Sequence, residues 1–595
     1  MESPGLADQA LVVTEIDGWR YVDANPQLRI AIAAGSGVAV HATPRKDLLL
    51  VVPHAVGDMT ERNHGQELRL DRPNIYEFEK ALAVMGVEES DAKRYALGAG
   101  RSWSVLRRHL ANLPAIRHPA WLDMPQTAIL STVCLLGAWN EGKEADQRVV
   151  ERVADQPYET IEANLRQLAL SDDAPILRIG TVLKAKSPLE LLDLFGSRIT
   201  SRQLDRFFLI AEEHLSTADP QLELPESERY AAQVHGKVYP QSVLLFESLC
   251  DTLIKLAVRG PDIAGLLNLN IEGRVARLIS DLLESADGVR WLSLASHLPA
   301  LAEASPSAFL RAVENSLDQR DAPVARLILE TTDTGLGGRC WHADLLWALE
   351  TLAWSPKWLS RVAFLLARLT HISHNNRWSN TPGRSLVGLF RVWLPQTAAD
   401  LPARLKVLDL LVQRKPDAAF DLLDALTERG PQHASPAARP KWRDDDAGAG
   451  NGVPWNEHRD MYLAAREHMH HLSADHPQRI VRLFENADMK DGEEMARVLD
   501  LMRPFTLAGT SDEDRVALQA VLRRRIHWHR NYDEEPTALQ QQLSALDALY
   551  TDLAPADPIL RHSWLFSGHW PNCLLATSMT ATSRCVSSWK REPLP

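Results

Sequence analysis

The chain has 595 residues, of which 45% are hydrophobic and 24% charged, so it is long enough for several domains and has the composition of a folded protein. Its formal net charge of −13 argues against a protein that coats nucleic acid, because phosphate binding needs clustered lysine and arginine. The five cysteines form no CxxC pair, no basic and then apolar leader opens the chain, and no apolar run reaches about 18 residues, so we expect a cytoplasmic protein without a zinc ribbon, a disulfide framework or a membrane span.

The first region, residues 1–73, carries short apolar runs typical of strands. Val, Ile and Leu dominate LRIAIAA, GVAVHAT, DLLLVVPHAV and ELRL between residues 28 and 70, and Gly, Pro and Asp bound these runs. The run LLLVVP is apolar throughout, as in a strand that is covered on both faces. The sequence therefore predicts a small α/β region here.

Residues 74–122 change to a helical period. NIYEFEKALAVMG places Ile75, Phe78, Leu82 and Met85 on one face and ends at a glycine, and ESDAKRYALGAG predicts a second short helix. We expect a small helical bundle, hereafter the lid region.

The stretch GAGRSWSVLRRHL, residues 98–110, has two glycines before an arginine-rich helix. It lacks the lysine of a phosphate loop, so the sequence favours a helix start with Ser102 as N-cap. This predicts that Trp103, Leu106 and Leu110 face a core. The three arginines of the stretch are expected to lie partly in solvent, where one could reach a phosphate held elsewhere: Arg101, Arg107 and Arg108.

Residues 123–215 read as three helices followed by two small strands around Gly180, which is the pattern of a winged helix. The same pattern serves protein–protein modules, so it does not by itself predict DNA binding. The candidate recognition helix, YETIEANLRQLAL, offers only Arg166 as a cation that could read bases.

Amphipathic helices fill residues 225–430. ADLLWALETLAW and SPKWLSRVAFLLARL place leucines on facing sides across a Ser-Pro break, and hairpins of this kind predict a HEAT-like α-solenoid. Residues 431–457 are rich in Pro, Gly and charge and predict a linker, and further helical repeats are expected over residues 458–570. Residues 571–595 show no helical period, which fits either an aberrant, frameshifted terminus or a disordered tail.

Motifs of phosphate, metal and nucleophile chemistry are missing from the sequence. Neither GxxxxGK[ST] nor GxGxxG occurs, and no GxSxG marks a nucleophile. Histidines cluster between residues 458 and 476, but no HExxH occurs, so we expect no metal site. Four of the 17 tryptophans fall among the predicted repeats and are expected to pack in the core: Trp347, Trp354, Trp358 and Trp393.

The order of these regions resembles the lid, winged-helix and helical sensor region of large bacterial STAND-type NTPases, which are signalling ATPases related to AAA+ proteins. GRSWSVLRRHL followed by the winged-helix pattern carries the first part of the resemblance, and LLWALETLAW, RWSNTPGRSLVGLFRVWLPQT and RHSWLFSGHWP carry the rest, over residues 20–571. Several proteins of this kind act in antiphage defence.

The resemblance implies a function that this chain would perform only in part. In that family an upstream P-loop domain holds ATP, and a lid arginine contacts its γ-phosphate; Arg101, Arg107 and Arg108 are the positions that could match. Since the Walker motifs are missing, residues 1–73 would be the remnant of a nucleotide-binding domain. The chain would then be a truncated protein without a cofactor or ATPase activity of its own.

Three hypotheses follow. The chain is the sensor and regulatory part of a STAND-like NTPase that binds a protein ligand, or it is a stand-alone solenoid scaffold, or, least favoured, it is a winged-helix transcription regulator. All three predict no membrane association, and the first two predict no general binding of nucleic acid.

Overall fold

A computed structural model describes most of the chain, and the protein is mainly helical. The described residues are 8–33, 36–43, 45–52, 73–99, 101–112, 114–171, 174–330, 339–372, 378–429, 433–446, 449–532 and 539–565. The chain divides into two compact units. The first comprises Met1–Leu365, His371–Thr381 and Ala437–Gly450, and the second comprises Leu366–Thr370, Pro382–Pro436 and Asn451–Pro595.

The first unit opens with a three-stranded parallel sheet in the order β1-β2-β3. Its strands and two short helices are β1 (Ala10–Val13), α1 (Gly18–Ala24), β2 (Ile30–Ala33), α2 (Ser36–Ala39) and β3 (Leu49–Val51). The predicted strands at LRIAIAA and DLLLVVPHAV are confirmed in part, and β1 was not predicted. GVAVHAT is not a strand, because α2 occupies it, and ELRL lies outside the described residues.

Among the described residues, one face of this sheet holds a buried apolar cluster. Trp19 and Val22 of α1 pack with Val13 on that face. All three residues of β3 are exposed, with Leu49 at 61%. The prediction that LLLVVP is covered on both faces is therefore wrong for β3, which pairs with β2 along one edge and is exposed at all three residues.

The lid region follows as four short helices with one apolar cluster. They are α3 (Ile75–Val84), α4 (Glu89–Gly98), α5 (Trp103–Leu110) and α6 (Pro114–Arg117). Asn74 forms a capping box with Glu77 at the start of α3, which explains why the helix begins there. Phe78 and Leu82 lie in the cluster as their spacing predicts, whereas Met85 is 52% exposed.

The next segment combines three helices with a small antiparallel sheet in the order β4-β6-β5. Its elements are α7 (Leu130–Leu136), β4 (Ala138–Asn140), α8 (Glu144–Ala154), α9 (Tyr158–Ala169), β5 (Ile176–Ile179) and β6 (Val182–Ala185), followed by α10 (Pro188–Phe195) and α11 (Ser201–Ser216). The two strands predicted around Gly180 are confirmed, and that glycine turns between them with φ of +57°. The buried carboxylate of Asp146 fixes this segment by accepting hydrogen bonds from the backbone of Asn140 and from Ser242.

Packed helices complete the first unit. They are α12 (Val243–Arg259), α13 (Ile271–Leu283), α14 (Gly288–Ser293), α15 (Leu298–Ala304), α16 (Pro306–Asp318), α17 (Arg326–Leu329) and α18 (Trp341–Ala353). Helix α12 packs on α13 and α15, α13 packs on α16, and α15 packs on α18. The predicted apolar face of α18 is confirmed, since Leu345, Leu346, Leu349 and Leu352 are all buried.

Helix α19 (Pro356–Leu369) contains the division between the units, which falls after Leu365 rather than at the predicted linker. The second unit continues with α20 (Pro382–Phe390), α21 (Leu401–Arg414), α22 (Pro416–Thr427), α23 (Trp455–Ser473), α24 (Pro477–Glu485), α25 (Gly492–Met502), α26 (Asp512–Tyr532), α27 (Gln540–Asp552) and α28 (Pro558–His562). Successive helices from α21 to α25 pack on one another, α24 also packs on α26, and α26 packs on α27. The stretch 571–595 lies outside the described residues.

No helix in the described part of the chain is both long enough and apolar enough to cross a membrane.

Candidate functional site

The arginine-bearing helix α5 begins as the sequence predicts. Ser102 is its N-cap, and the side-chain oxygen accepts a hydrogen bond from the backbone N–H of Val105. Helix α4 ends at Gly98, and Gly100 lies outside the described residues. Arg101 sits between the two helices with φ of +59°, a left-handed conformation that side-chain-bearing residues seldom adopt.

Arg101 is buried, at 4% exposure, and the prediction that it lies partly in solvent is wrong. Its guanidinium donates to the carbonyl of Pro73 at 3.3 Å and to that of Lys441 at 2.8 Å. Its Nε lies 3.0 Å from Oδ1 of Asp444. Through these contacts Arg101 joins parts of the chain that are far apart in the sequence.

Arg108 is also buried, at 8% exposure, which corrects the same prediction for this residue. It pairs with Glu190 of α10 and donates to the carbonyl of Ile116 at 2.6 Å. Arg107 is exposed on the same helix, in agreement with the prediction. Of the three candidate nucleotide-contacting arginines, Arg107 alone presents its side chain to solvent.

The apolar positions of α5 are corrected as well. Leu106 is fully buried, as predicted, but Trp103 is 56% and Leu110 41% exposed. The helix is only two turns long, so its buried face holds fewer side chains than the sequence offers.

A small cleft lies beside α5. Ala99, Val105 and Leu189 line its apolar part, and Arg259 and Asp193 line its polar part. Its volume is about 70 Å³, against roughly 300–1,000 Å³ for pockets that enclose small-molecule ligands. Arg259 donates to the carbonyls of Leu97 and Gly98, so the main cation of this cleft already caps the C-terminus of α4.

The segment that Arg101 holds is residues 437–450, hereafter the strap. Its described residues, 437–446 and 449–450, form neither helix nor strand, as expected for a stretch rich in Pro and Gly. It is not a linker, however, because it belongs to the first compact unit and packs within it. The strap packs there because its backbone N–H and C=O groups form hydrogen bonds with buried polar side chains of the helices.

Glu303 of α15 is the centre of this packing. Its side chain is 3% exposed and accepts hydrogen bonds from three successive backbone N–H groups of the strap, those of Lys441, Trp442 and Arg443. Burial raises the pKa of the Glu303 carboxyl, and the three N–H donors and the Arg443 guanidinium oppose that rise. Arg443 also donates to the backbone carbonyls of Glu303 and Ala304.

Trp354 and Glu350 bind the N-terminal end of the strap, at Ala438. The indole of Trp354 donates to the carbonyl of Ala438 at 2.8 Å, and Glu350 accepts the N–H of the same residue at 3.0 Å. The guanidinium of Arg439 lies over the Trp354 ring at 3.9 Å. Gly450 has φ of +90° and packs against this stack, where a Cβ would clash.

Trp442, near the middle of the strap, packs against the lid region. Its ring packs against the apolar cluster of Phe78, Leu82 and Leu106. The ammonium of the buried Lys255 lies 5.6 Å from the ring centroid. Sequence reasoning missed this site, although the alternation of cations, tryptophan and carboxylates in KWRDDD was a visible signal within a Pro-rich stretch.

The predicted fate of the tryptophans is correct only in part. Trp354 is fully buried, but Trp347 of α18 is 45% exposed. Every other residue of α18 except Asp344 is buried. A large aromatic side chain therefore reaches the surface from a helix that is otherwise enclosed.

Two of the clustered histidines, His468 and His470, take part in ordinary polar contacts. His468 lies 2.8 Å from Asp409 and His470 lies 3.3 Å from Glu494. Burial, with the nearby Arg497 and Arg466, lowers the pKa of His470 to about 4. Within the described ranges, no three His, Cys, Asp or Glu side chains are grouped so that they could hold a metal ion.

No family model, curated protein or solved structure matches this chain.

Proposed function

We propose that the chain is the sensor and regulatory helical-repeat part of a bacterial STAND-like NTPase and that it binds a protein ligand. The observation that carries the protein-binding part of this proposal is Trp347, a half-exposed indole on the enclosed helix α18. Tryptophan is enriched among the residues that dominate protein–protein binding, and a rigid helix presents it at little entropic cost.

The order of elements supports the architecture within this proposal. Three helices interleaved with a β4-β6-β5 antiparallel sheet fit a winged-helix-like module, and pairwise packing from α12 to α18 fits a HEAT-like array. The resemblance stated above links these two parts to the STAND-type proteins and to a role in antiphage defence.

The three arginines of the lid region favour a regulatory role for this chain over a catalytic one. Arg101 and Arg108 are committed to internal ion pairs, which leaves Arg107 as the candidate for contact with a nucleotide that another domain or chain supplies. We propose that the chain alone turns over no ATP. Incubation of the pure chain with Mg·ATP tests this proposal. Release of phosphate from ATP at a rate above that in buffer alone would contradict it.

The second candidate is a stand-alone scaffold, which Trp347 favours equally. The two differ in that only the sensor would act on a nucleotide-dependent partner domain. The transcription regulator is not favoured: on α9 the exposed Arg166 is paired with Glu162 at 2.6 Å, and Glu159 is exposed beside them. A gel shift on random duplex at physiological salt is expected to be negative.

The direct test measures protein binding. The immobilised chain captures proteins from bacterial extract, a captured protein is purified, and its Kd is measured for the wild type, Trp347→Ala and the control Trp103→Ala, which removes an exposed indole from the lid region. We expect Trp347→Ala to raise Kd at least about tenfold, as loss of an interface anchor does. Equal Kd values for all three proteins would remove the observation on which the proposal rests.

A further inference from the structure

We propose that the groove beneath the strap is a recognition site for a peptide segment of a protein partner that adopts the irregular conformation of the strap, and that the strap is its internal occupant. The groove, hereafter the strap groove, is lined by Arg101, Lys255, Glu303, Glu350 and Trp354. The inference rests on the proposed function only in that the ligand is a protein.

The residues of the strap groove form hydrogen bonds with backbone atoms of the strap. Glu303 accepts three successive N–H groups, Glu350 accepts one, and Trp354 and Arg101 each donate to a strap carbonyl. Every polypeptide carries these groups, so the same contacts are open to another segment that turns its successive N–H groups toward Glu303 as the strap does. Peptide-recognition sites obtain affinity from main-chain bonds in this way and specificity from a few side-chain positions.

Three side-chain positions define the preferred ligand. An aromatic ring fits where Trp442 packs on the lid cluster below Lys255. A cation fits where Arg443 donates to the carbonyls at the end of α15, and a carboxylate fits where Asp444 meets Arg101. We therefore assign the groove to segments of the strap's conformation in which an aromatic residue precedes a basic and then an acidic residue.

Simple departure of the strap is costly, which favours exchange. Glu303 is 3% exposed with the strap in place, and departure of the strap would take three hydrogen-bond donors from its carboxylate. Loss of these bonds is unfavourable until water replaces the donors. A second segment that supplies the same N–H groups removes this cost, so a partner replaces the strap directly rather than binding an empty groove.

The strap has an advantage over any free peptide because the chain holds it at both ends. Tethering through short segments gives effective concentrations on the order of millimolar. A peptide at micromolar concentration therefore competes poorly with the intact strap and well with a strap whose docking residues are removed. This difference makes the proposal measurable.

The experiment uses the full chain and a fluorescein-labelled peptide with the strap sequence ARPKWRDDD, residues 438–446. Fluorescence anisotropy gives its Kd for the wild type and for a double variant, Trp442→Ala with Arg443→Ala. We expect the double variant to bind the peptide at least about tenfold more tightly, because the competing strap is weakened. Trp455→Ala, which removes an indole that is 74% exposed in the second unit, is the matched control and should bind as the wild type does.

Two further measurements show that binding occurs in the groove. Adding Glu303→Gln to the double variant should abolish the gain, and Arg101→Gln serves the same purpose if the first triple variant fails to fold. A peptide of the same composition in scrambled order should bind at least about tenfold more weakly than ARPKWRDDD.

Equal affinity for the wild type and the double variant, or equal affinity for the two peptides, would overturn the proposal. Failure of the proposed function looks different, since it would be seen in the Trp347→Ala capture experiment or in ATP turnover while peptide binding to the groove persists.

Discussion

Replacing Glu303 by glutamine should weaken the docking of the strap while leaving the packing around this side chain almost unchanged. The substitution is nearly isosteric, and it changes only the charge and the acceptor capacity of a side chain that receives three backbone N–H groups. An amide oxygen still accepts hydrogen bonds, but an amide nitrogen does not. At least one of the three strap N–H groups therefore loses its partner.

The magnitude follows from this geometry. A hydrogen bond to a charged group contributes about 1.5–3 kcal/mol and a neutral one about 0.5–1.5 kcal/mol, so each surviving bond weakens by about 1 kcal/mol and the orphaned N–H costs about 1–3 kcal/mol. Burying a neutral amide instead of a carboxylate offsets part of this loss. We expect the docking free energy of the strap to fall by about 2–3 kcal/mol, which corresponds to about 30- to 150-fold in the opening equilibrium.

Hydrogen exchange measured by mass spectrometry tests this figure locally. The amides of Lys441, Trp442 and Arg443 should exchange about 30- to 150-fold faster in the variant, because exchange reports the free energy of local opening. Glu314→Gln is the matched control, since Glu314 is partly exposed and pairs with Arg361, and pairs of this kind contribute about 0–1 kcal/mol. If the strap amides of Glu303→Gln exchange within about threefold of the wild-type rate, then Glu303 does not hold the strap and the reasoning fails.

Three further predictions concern an ion pair, a histidine and a glycine. Glu457→Gln should destabilise the second unit by about 3 kcal/mol, because it leaves the fully buried guanidinium of Arg404 without its carboxylate. Urea unfolding followed by tryptophan fluorescence gives the free energy of unfolding, and a loss below about 1 kcal/mol would contradict the prediction. Burial lowers the pKa of His297 to about 4 from 6.5, so its contribution to stability is complete above pH 6.5 and is lost as the pH falls toward 4. His297→Phe should therefore reduce the fall in Tm between pH 7 and pH 4.5, and an unchanged fall would show that this imidazole is not responsible. Gly450→Ala should make the strap more sensitive to proteolysis, since a Cβ at φ of +90° would lie 2.2 Å from a guanidinium nitrogen and 2.7 Å from an indole ring, whereas Gly236→Ala, with φ of +65° and no atom within 4 Å, should not.

Much of the helical structure could be predicted because its signals are local. Ser102 caps α5 through the residue three positions on, and the leucines of α18 repeat at the helical period. Sheet coverage was harder to predict. The apolar run that contains β3 has the composition of a buried strand, but its exposure depends on which elements pack on each face of the sheet.

The candidate site shows the same limit. The sequence could nominate Arg101 and Arg108 as cations on a helix, but their burial depends on partners far along the chain: Arg101 meets a carbonyl 340 residues away and Arg108 a carboxylate 82 residues away. The left-handed backbone conformation of Arg101 also has no signature in a residue that is not glycine.

By itself the sequence determined the helical character of this protein, the start of its arginine-bearing helix and the strands around Gly180, since caps, periods and turn residues act within a few positions. Tertiary structure alone decided that a Pro-rich, charged stretch is a docked strap rather than a linker. The reason is Glu303: a carboxylate on a buried helix needs hydrogen-bond donors, and the donors come from a segment 138 to 140 residues away. Only in the folded chain do the carboxylate and these N–H groups lie within hydrogen-bond distance of each other.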